Sequence, residues 1–145
     1  MHTPLLSRAL KCGAVLALSA WLAGCATQQT RDYSAYRAAK PASILVLPPV
    51  NDAPEVQASA SVLSQATLPL AEAGYYVMPV TLMSETFKQN GLEIAGDIHE
   101  VAPAKLKEIF GSDAALYLRV TKYGTTYQVI QSTTIVSVEA RLGDL

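Results

Sequence analysis

Apolar residues follow three rhythms along this chain, and each predicts a different kind of element. The first is unbroken: residues 12–22, CGAVLALSAWL, carry no charge and follow a segment with Arg8 and Lys11 but no acid. The second is a pair of short runs rich in branched and aromatic residues, SILVLPPV at 43–50 and YYVMPV at 75–80, both punctuated by proline. Runs of that length without alternation read as strands, the first of them buried. The third rhythm is alternation. Ala114, Leu116, Leu118 and Val120 interleave with Ala115, Tyr117, Arg119 and Thr121, and Ile130, Val136, Val138, Ala140 and Leu142 share one parity further on. Period two predicts strands. Gly124, Thr125 and Thr126 between the two segments predict the turn of an antiparallel hairpin, with 132–134 a weak point in its second strand.

Helical patterns fill the intervals. Val56, Leu63 and Leu70 recur every seven residues with Ala60, Ala66 and Ala73 between them, which places one apolar stripe along a helix. Asn51 and Asp52 are positioned to cap its first turn; a small-ligand site at the carboxyl end of the first strand is the alternative. Pro69 is expected to kink or divide this helix, because its ring clashes with the preceding turn and it has no N–H to donate. Gly74 ends it. Two shorter helices are predicted at 82–89, closed by Asn90 and Gly91, and at 103–110, with proline near its first turn and Gly111 beyond its last. The polar stretch EIAGDIHEV between them reads as a solvated loop. Strand, helix, strand at this spacing predicts a parallel pair. The expected fold class is therefore α/β, a mixed sheet with helices packed on it. The alternation runs almost to the last residue, which predicts either a truncated sheet or an end strand that pairs with another molecule.

Eleven apolar residues in a helix reach about 16 Å, half of the ~30 Å hydrocarbon core, so residues 12–22 read as part of an export signal rather than a membrane span. This segment ends in Leu22, Ala23, Gly24 and Cys25, which resembles the lipobox of bacterial lipoproteins. The resemblance implies a signal peptide at 1–24, cleavage before Cys25, and a diacylglyceryl thioether on Cys25 with palmitate-type acyl chains. Two or three such chains anchor a protein stably where one does not. With Ala26 and Thr27 following the cysteine, and no Asp, the resemblance further implies the outer membrane, with the domain facing the periplasm. The competing reading keeps Cys25 as an incidental residue of an ordinary cleaved signal, for which AGC and CAT supply small-residue processing sites. Residues 26–42 show no periodicity and read as a tether, so the expected organisation is 1–24 signal, 25–42 lipidated cysteine and tether, and 43–145 a single domain.

Composition narrows the function classes. A chain of 145 residues has room for one modest core. Its two cysteines, Cys12 and Cys25, both lie before the domain, which excludes a disulfide framework or cysteine zinc site downstream. Without the leader, nine basic residues face twelve acidic ones, against the basic surface that nucleic acid requires. His99 is the one histidine after the leader, and with Asp97 it would share a side of an extended stretch. A metal site built on that pair needs ligands from elsewhere, and no GxSxG, Walker or GxGxxG motif occurs. No cofactor beyond the covalent lipid is expected. Tyr75, Tyr76, Tyr117, Tyr123 and Tyr127 fall on predicted strands. Sheet packing accounts for most of them, and Tyr123 and Tyr127 beside the hairpin are the candidate partner surface.

The segments ILVLPPVND, PLAEAGYYVMPV, ETFKQNGL and LKEIFGSDAALYLRVTKYGTTYQV together resemble a family of bacterial lipoproteins of uncharacterised function, over nearly all of 43–145. The piece FGSDAALYLRV is also similar to the helix, glycine and strand of the TolB amino-terminal domain and of CsgG-like secretion lipoproteins. These resemblances imply a TolB-like α/β fold and a non-catalytic, protein-binding role as an accessory of an outer-membrane assembly or secretion complex. Members of the family continue past the point where this chain ends, which implies truncation. They bring no catalytic residues. The alternatives are an envelope hydrolase or metal-dependent enzyme using His99 and Asp97, and a small-ligand binder at Asn51 and Asp52.

Overall fold

The four residues Ile44, Leu45, Val46 and Leu47 are all buried, and the reason is the sheet they belong to. In the computed structural model, which describes residues 32–127 and 132–145 and gives 126 and 127 by backbone alone, the first strand β1 is Ser43–Val46. It lies between two others, pairing in parallel with β3 (Tyr76–Val77) on one side and with β4 (Ala114–Tyr127) on the other. Pro48 and Pro49 interrupt the run, and the chain rejoins the same edge of β4 as β2 (Val50–Asn51), again parallel. The opposite edge of β4 pairs antiparallel along its length with β5 (Ser132–Asp144). The sheet is thus mixed, as the hydrophobic patterning predicts.

Successive strand residues point to opposite faces, and here each face has its own core. Leu45, Leu47, Ala115 and Tyr117 pack with Met83, Phe87, Ile98 and Leu106. These come from α3 (Val80–Gln89), α4 (Ala95–His99) and α5 (Pro103–Phe110). Ile44, Val46 and Leu118 pack on the other face against Val62, Leu63, Ala66 and Leu70, which belong to α2 (Ala58–Glu72). Helices on both faces of the sheet explain why β1 reads as a continuous apolar run.

The helix over 103–110 falls where its signals predict, with Pro103 in its first turn and Gly111 closing it at φ 66°. That left-handed angle costs an L side chain energy and glycine little. Five expectations are corrected. Helix α2 begins later than its heptad spacing indicates, so Val56 is 85% exposed and off the apolar face. It also runs through Pro69 undivided and ends at Glu72. In this last turn the Pro69 carbonyl still accepts the Ala73 amide at 3.0 Å, so only the missing proline donor is forfeited. The segment read as a structureless tether contains a helix, α1 (Ser34–Ala39), none of whose residues is buried. Finally, Gly124, Thr125 and Thr126 are not a turn: they pair with Ile135, Thr134 and Thr133 inside a β4–β5 ribbon. Gly124 holds φ 150° within the strand, so the glycine relieves the backbone rather than reversing it. The weak point expected at 132–134 is likewise ordered ladder.

The start of the sheet is clasped by one carboxylate. Asp113 Oδ2 accepts the amides of Ala42 and Ser43 and the Ser43 hydroxyl, each at 3.0 Å. These bonds hold its carboxyl below the usual range. They fix the chain where it enters β1 against the beginning of β4. Among the described residues no helix is long and apolar enough to cross a membrane.

Candidate functional site

The sequence places Asn51 and Asp52 at the end of the first strand region, and there the structure gives each an internal task. Asn51 Oδ1 accepts the Ala53 amide at 3.0 Å and its Nδ2 donates to the Glu55 carbonyl at 2.8 Å, closing a local turn. Helix α2 starts at Ala58 after Gln57, with no side-chain cap, so the capping role expected of Asn51 and Asp52 is corrected. Asp52 instead accepts both of its close contacts from Arg119 Nη1, at 2.8 and 3.1 Å, an ion pair about half exposed at each end. Its carboxylate holds the guanidinium's pKa above the ordinary value.

His99 is not in a solvated loop. It ends α4, is half-buried, and its Nε2 lies 2.9 Å from the Pro48 carbonyl. The imidazole meets Tyr117 edge-on at 5.3 Å, and the Arg141 guanidinium lies over that ring, 4.2 Å from its centre. Burial lowers the pKa of His99, the Pro48 contact opposes this, and Arg119 and Arg141 lower it further, so the ring is neutral at pH 7. As Nε2 meets a carbonyl, the neutral ring carries its proton there. Asp97 sits two residues earlier on the same short helix, exposed, and residues so spaced on a helix do not face each other. Among the described residues no group of histidine, cysteine or acidic side chains is placed to hold a metal. The cleft beside His99 is about 370 Å³ and is walled by Tyr117, Arg119, Glu139 and Arg141.

A second concavity lies on the opposite face, where the ribbon passes α2. It measures about 400 Å³ and its walls include Val62, Ala66, Leu118, Tyr123, Val136 and Val138. Nearly every group facing this groove is apolar. It exists because β4 and β5 run past the end of the β1–β4 pairing, so α2 covers Leu118 but leaves Val136 and Val138 open, at 53% and 38% exposure. Tyr123, one of the two tyrosines expected at a partner surface, is half-buried in the groove wall. Tyr127 ends β4 by its backbone, and its side chain lies outside the described residues, as do Leu22, Ala23, Gly24 and Cys25. Patterning alone did not single out the groove. Its one signal was that Val136, Val138, Ala140 and Leu142 share a parity, a face that α2 is too short to cover.

A mixed sheet with helices on both faces and a projecting two-stranded ribbon defines an α/β domain whose open surface is ribbon rather than helix. Residues 31–145 match the family model described as "Putative lipoprotein GNA1162-like", and the chain belongs to this lipoprotein family. It is 54% identical over 133 residues to "Putative lipoprotein NMB1124/NMB1162" of Neisseria meningitidis serogroup B, a match covering 90% of this chain and 60% of the relative. The chain thus spans about 60% of the length of that curated relative. The crystal structure of lipoprotein GNA1162 from Neisseria meningitidis superposes with a TM-score of 0.68 at 56% identity, over 72% of each chain. The C-terminal domain of LpoB from Salmonella enterica gives a TM-score of 0.43 at 14% identity over 72% of this chain, too loose a superposition to bear on function.

Proposed function

We propose that this chain is a lipid-anchored accessory protein of the cell envelope that works by docking another protein and not by catalysis. Cys25, released as the first residue of the mature chain, carries the lipid and holds the domain at the periplasmic face of the outer membrane. Family membership supports the lipoprotein class. The observation that carries the docking role is the groove between the ribbon and α2, an open apolar surface of about 400 Å³ that includes Tyr123, Val136 and Val138. An aromatic with a polar tip among aliphatic walls is the chemistry that receives apolar side chains of a protein partner. The polar groups at Asn51, Asp52 and His99 are, by contrast, engaged within the chain.

Cross-linking in membranes tests this directly. The full chain is compared with Val136→Arg, which puts a charge in the groove, and with Lys105→Ala on the exposed surface of α5. A cross-linked envelope protein that is kept by Lys105→Ala and lost by Val136→Arg is expected. Equal yields from both variants exclude the groove. Mass spectrometry of the mature N-terminus tests the anchor: an unmodified thiol at Cys25 removes it, and Cys25→Ala is the unanchored control.

A further inference from the structure

The groove is not the ribbon's only open surface, because β5 is an edge strand among the described residues. The carbonyls of Leu116 and Val120 accept the amides of Leu47 and Asp52 at 3.0 and 2.9 Å, so even-numbered residues of β4 up to Val120 turn their backbone groups toward β1 and β2. Alternation turns Ala115, Tyr117 and Arg119 toward β5, opposite Gly143, Arg141 and Glu139. The amides and carbonyls of Val138, Ala140 and Leu142 therefore point outward, with no strand beyond them among the described residues. The strand has no proline or lysine to blunt this edge, and its register irregularity lies on β4, between Val120 and Lys122.

We propose that this edge pairs antiparallel with β5 of a second copy of the chain, about a two-fold axis through Ala140. The choice of register comes from charge. Residues opposite each other across an antiparallel pair lie on one face, so the axis must pass through a residue. An axis at Glu139 sets Glu139 against itself, and one at Arg141 sets arginine against arginine. An axis at Val138 leaves them facing Ser137 and Ile135. Only Ala140, among these central positions, sets Glu139 opposite Arg141 of the second copy, and does so twice. A charge ladder already present is thereby extended: Asp52 holds Arg119 at 2.8 Å, Arg119 lies opposite Glu139, and Arg141 of the second copy follows. On the other face the same register sets Val138 against Leu142, which are 38% and 41% exposed here. Symmetric pairing of this kind closes after two copies. It uses the backbone edge, whereas the docking role proposed above uses the groove; the two surfaces share Val138, and the measurements below separate them.

Sedimentation velocity on the full chain in detergent, together with an Ala140→Cys variant under mild oxidation, tests the pairing. Wild type run alongside sets the background from any unprocessed chain that keeps Cys12 and an unacylated Cys25. A concentration-dependent dimer is expected, with a disulfide-linked Ala140→Cys dimer well above that background. Glu139→Arg and Arg141→Glu should each weaken dimerisation about tenfold, and the double reversal should recover most of it, since the charges across the two copies become like and then opposite again, while position 139 still faces Arg119 within its own chain. A chain that stays monomeric, a dimer without the Ala140→Cys cross-link, or a double variant as weak as the singles overturns the proposal. A monomer that still gives the Val136-dependent cross-link refutes the pairing alone; a dimer lacking that cross-link refutes the groove alone.

Discussion

Ser112 offers a sharp test of the packing, because replacing it should make the protein more stable. It sits between the left-handed Gly111 and the clasping Asp113, is 1% exposed, and its Oγ has no hydrogen-bond partner among the described residues. A buried hydroxyl without a partner forfeits its bonds to water, at a cost of about 1–3 kcal/mol. Ser112→Ala removes that group and keeps the Cβ. The void left by one oxygen, roughly 10 Å³, costs only about 0.2 kcal/mol at ~24 cal/mol per Å³. The net expectation is a gain of about 1 kcal/mol, which corresponds to a melting temperature higher by about 4 °C in a domain of this size. Urea unfolding followed by circular dichroism, with thermal melts as a second measure, reads the difference. A loss of more than about 0.5 kcal/mol in Ser112→Ala would show that the hydroxyl has a partner, such as an ordered water, and would refute the reasoning.

Other expectations follow from the same geometry. Leu47→Ala, at a fully buried position between Met83, Phe87 and Tyr117, should cost about 3–5 kcal/mol in urea unfolding, and a cost under 1 kcal/mol would mean this face is loosely packed. Gly111→Ala should cost about 1–2 kcal/mol from backbone strain alone, since φ is 66° and no atom lies within 4 Å of the added Cβ; an unchanged urea midpoint contradicts that angle. His99 has a pKa held below its ordinary 6.5, so the folded state favours the neutral ring. Its contribution is fully present above pH 6.5 and is lost as pH falls through the lowered value. Thermal melts from pH 8 to pH 5 should show that loss in the wild type and a shallower pH slope in His99→Gln; parallel slopes would detach His99 from the acid response.

Much of the fold was legible because its signals are local. Residues 103–110 carry their own start in Pro103 and stop in Gly111, and the run Ile44–Leu47 declares burial on two faces by having no polar position. The errors share a different cause. Gly124 with two threonines has the composition of a turn, yet the partner strand spans it, and nothing local distinguishes a glycine that reverses a strand from one that relieves it. Asn51 and Asp52 resemble caps in isolation. Only the approach of Arg119, far along the chain, assigns Asp52 to an ion pair. His99 looked solvated because its neighbours are polar, and its actual partners, Pro48 and Tyr117, come from two other strand regions.

By itself the sequence determined the class of element at each place and the likeness to lipoproteins, since periodicity, proline and glycine act through the backbone within a few residues. Tertiary structure alone decided which apolar residues stay uncovered. Val136 and Val138 have the same alternating pattern as Leu118 and Val120, but α2 ends where the ribbon continues, so the same pattern closes a core at one end and opens a groove at the other. It also decided that, among the described residues, β5 has no strand on its outer edge, because a strand's pairing depends on what lies beside it and not on its own residues.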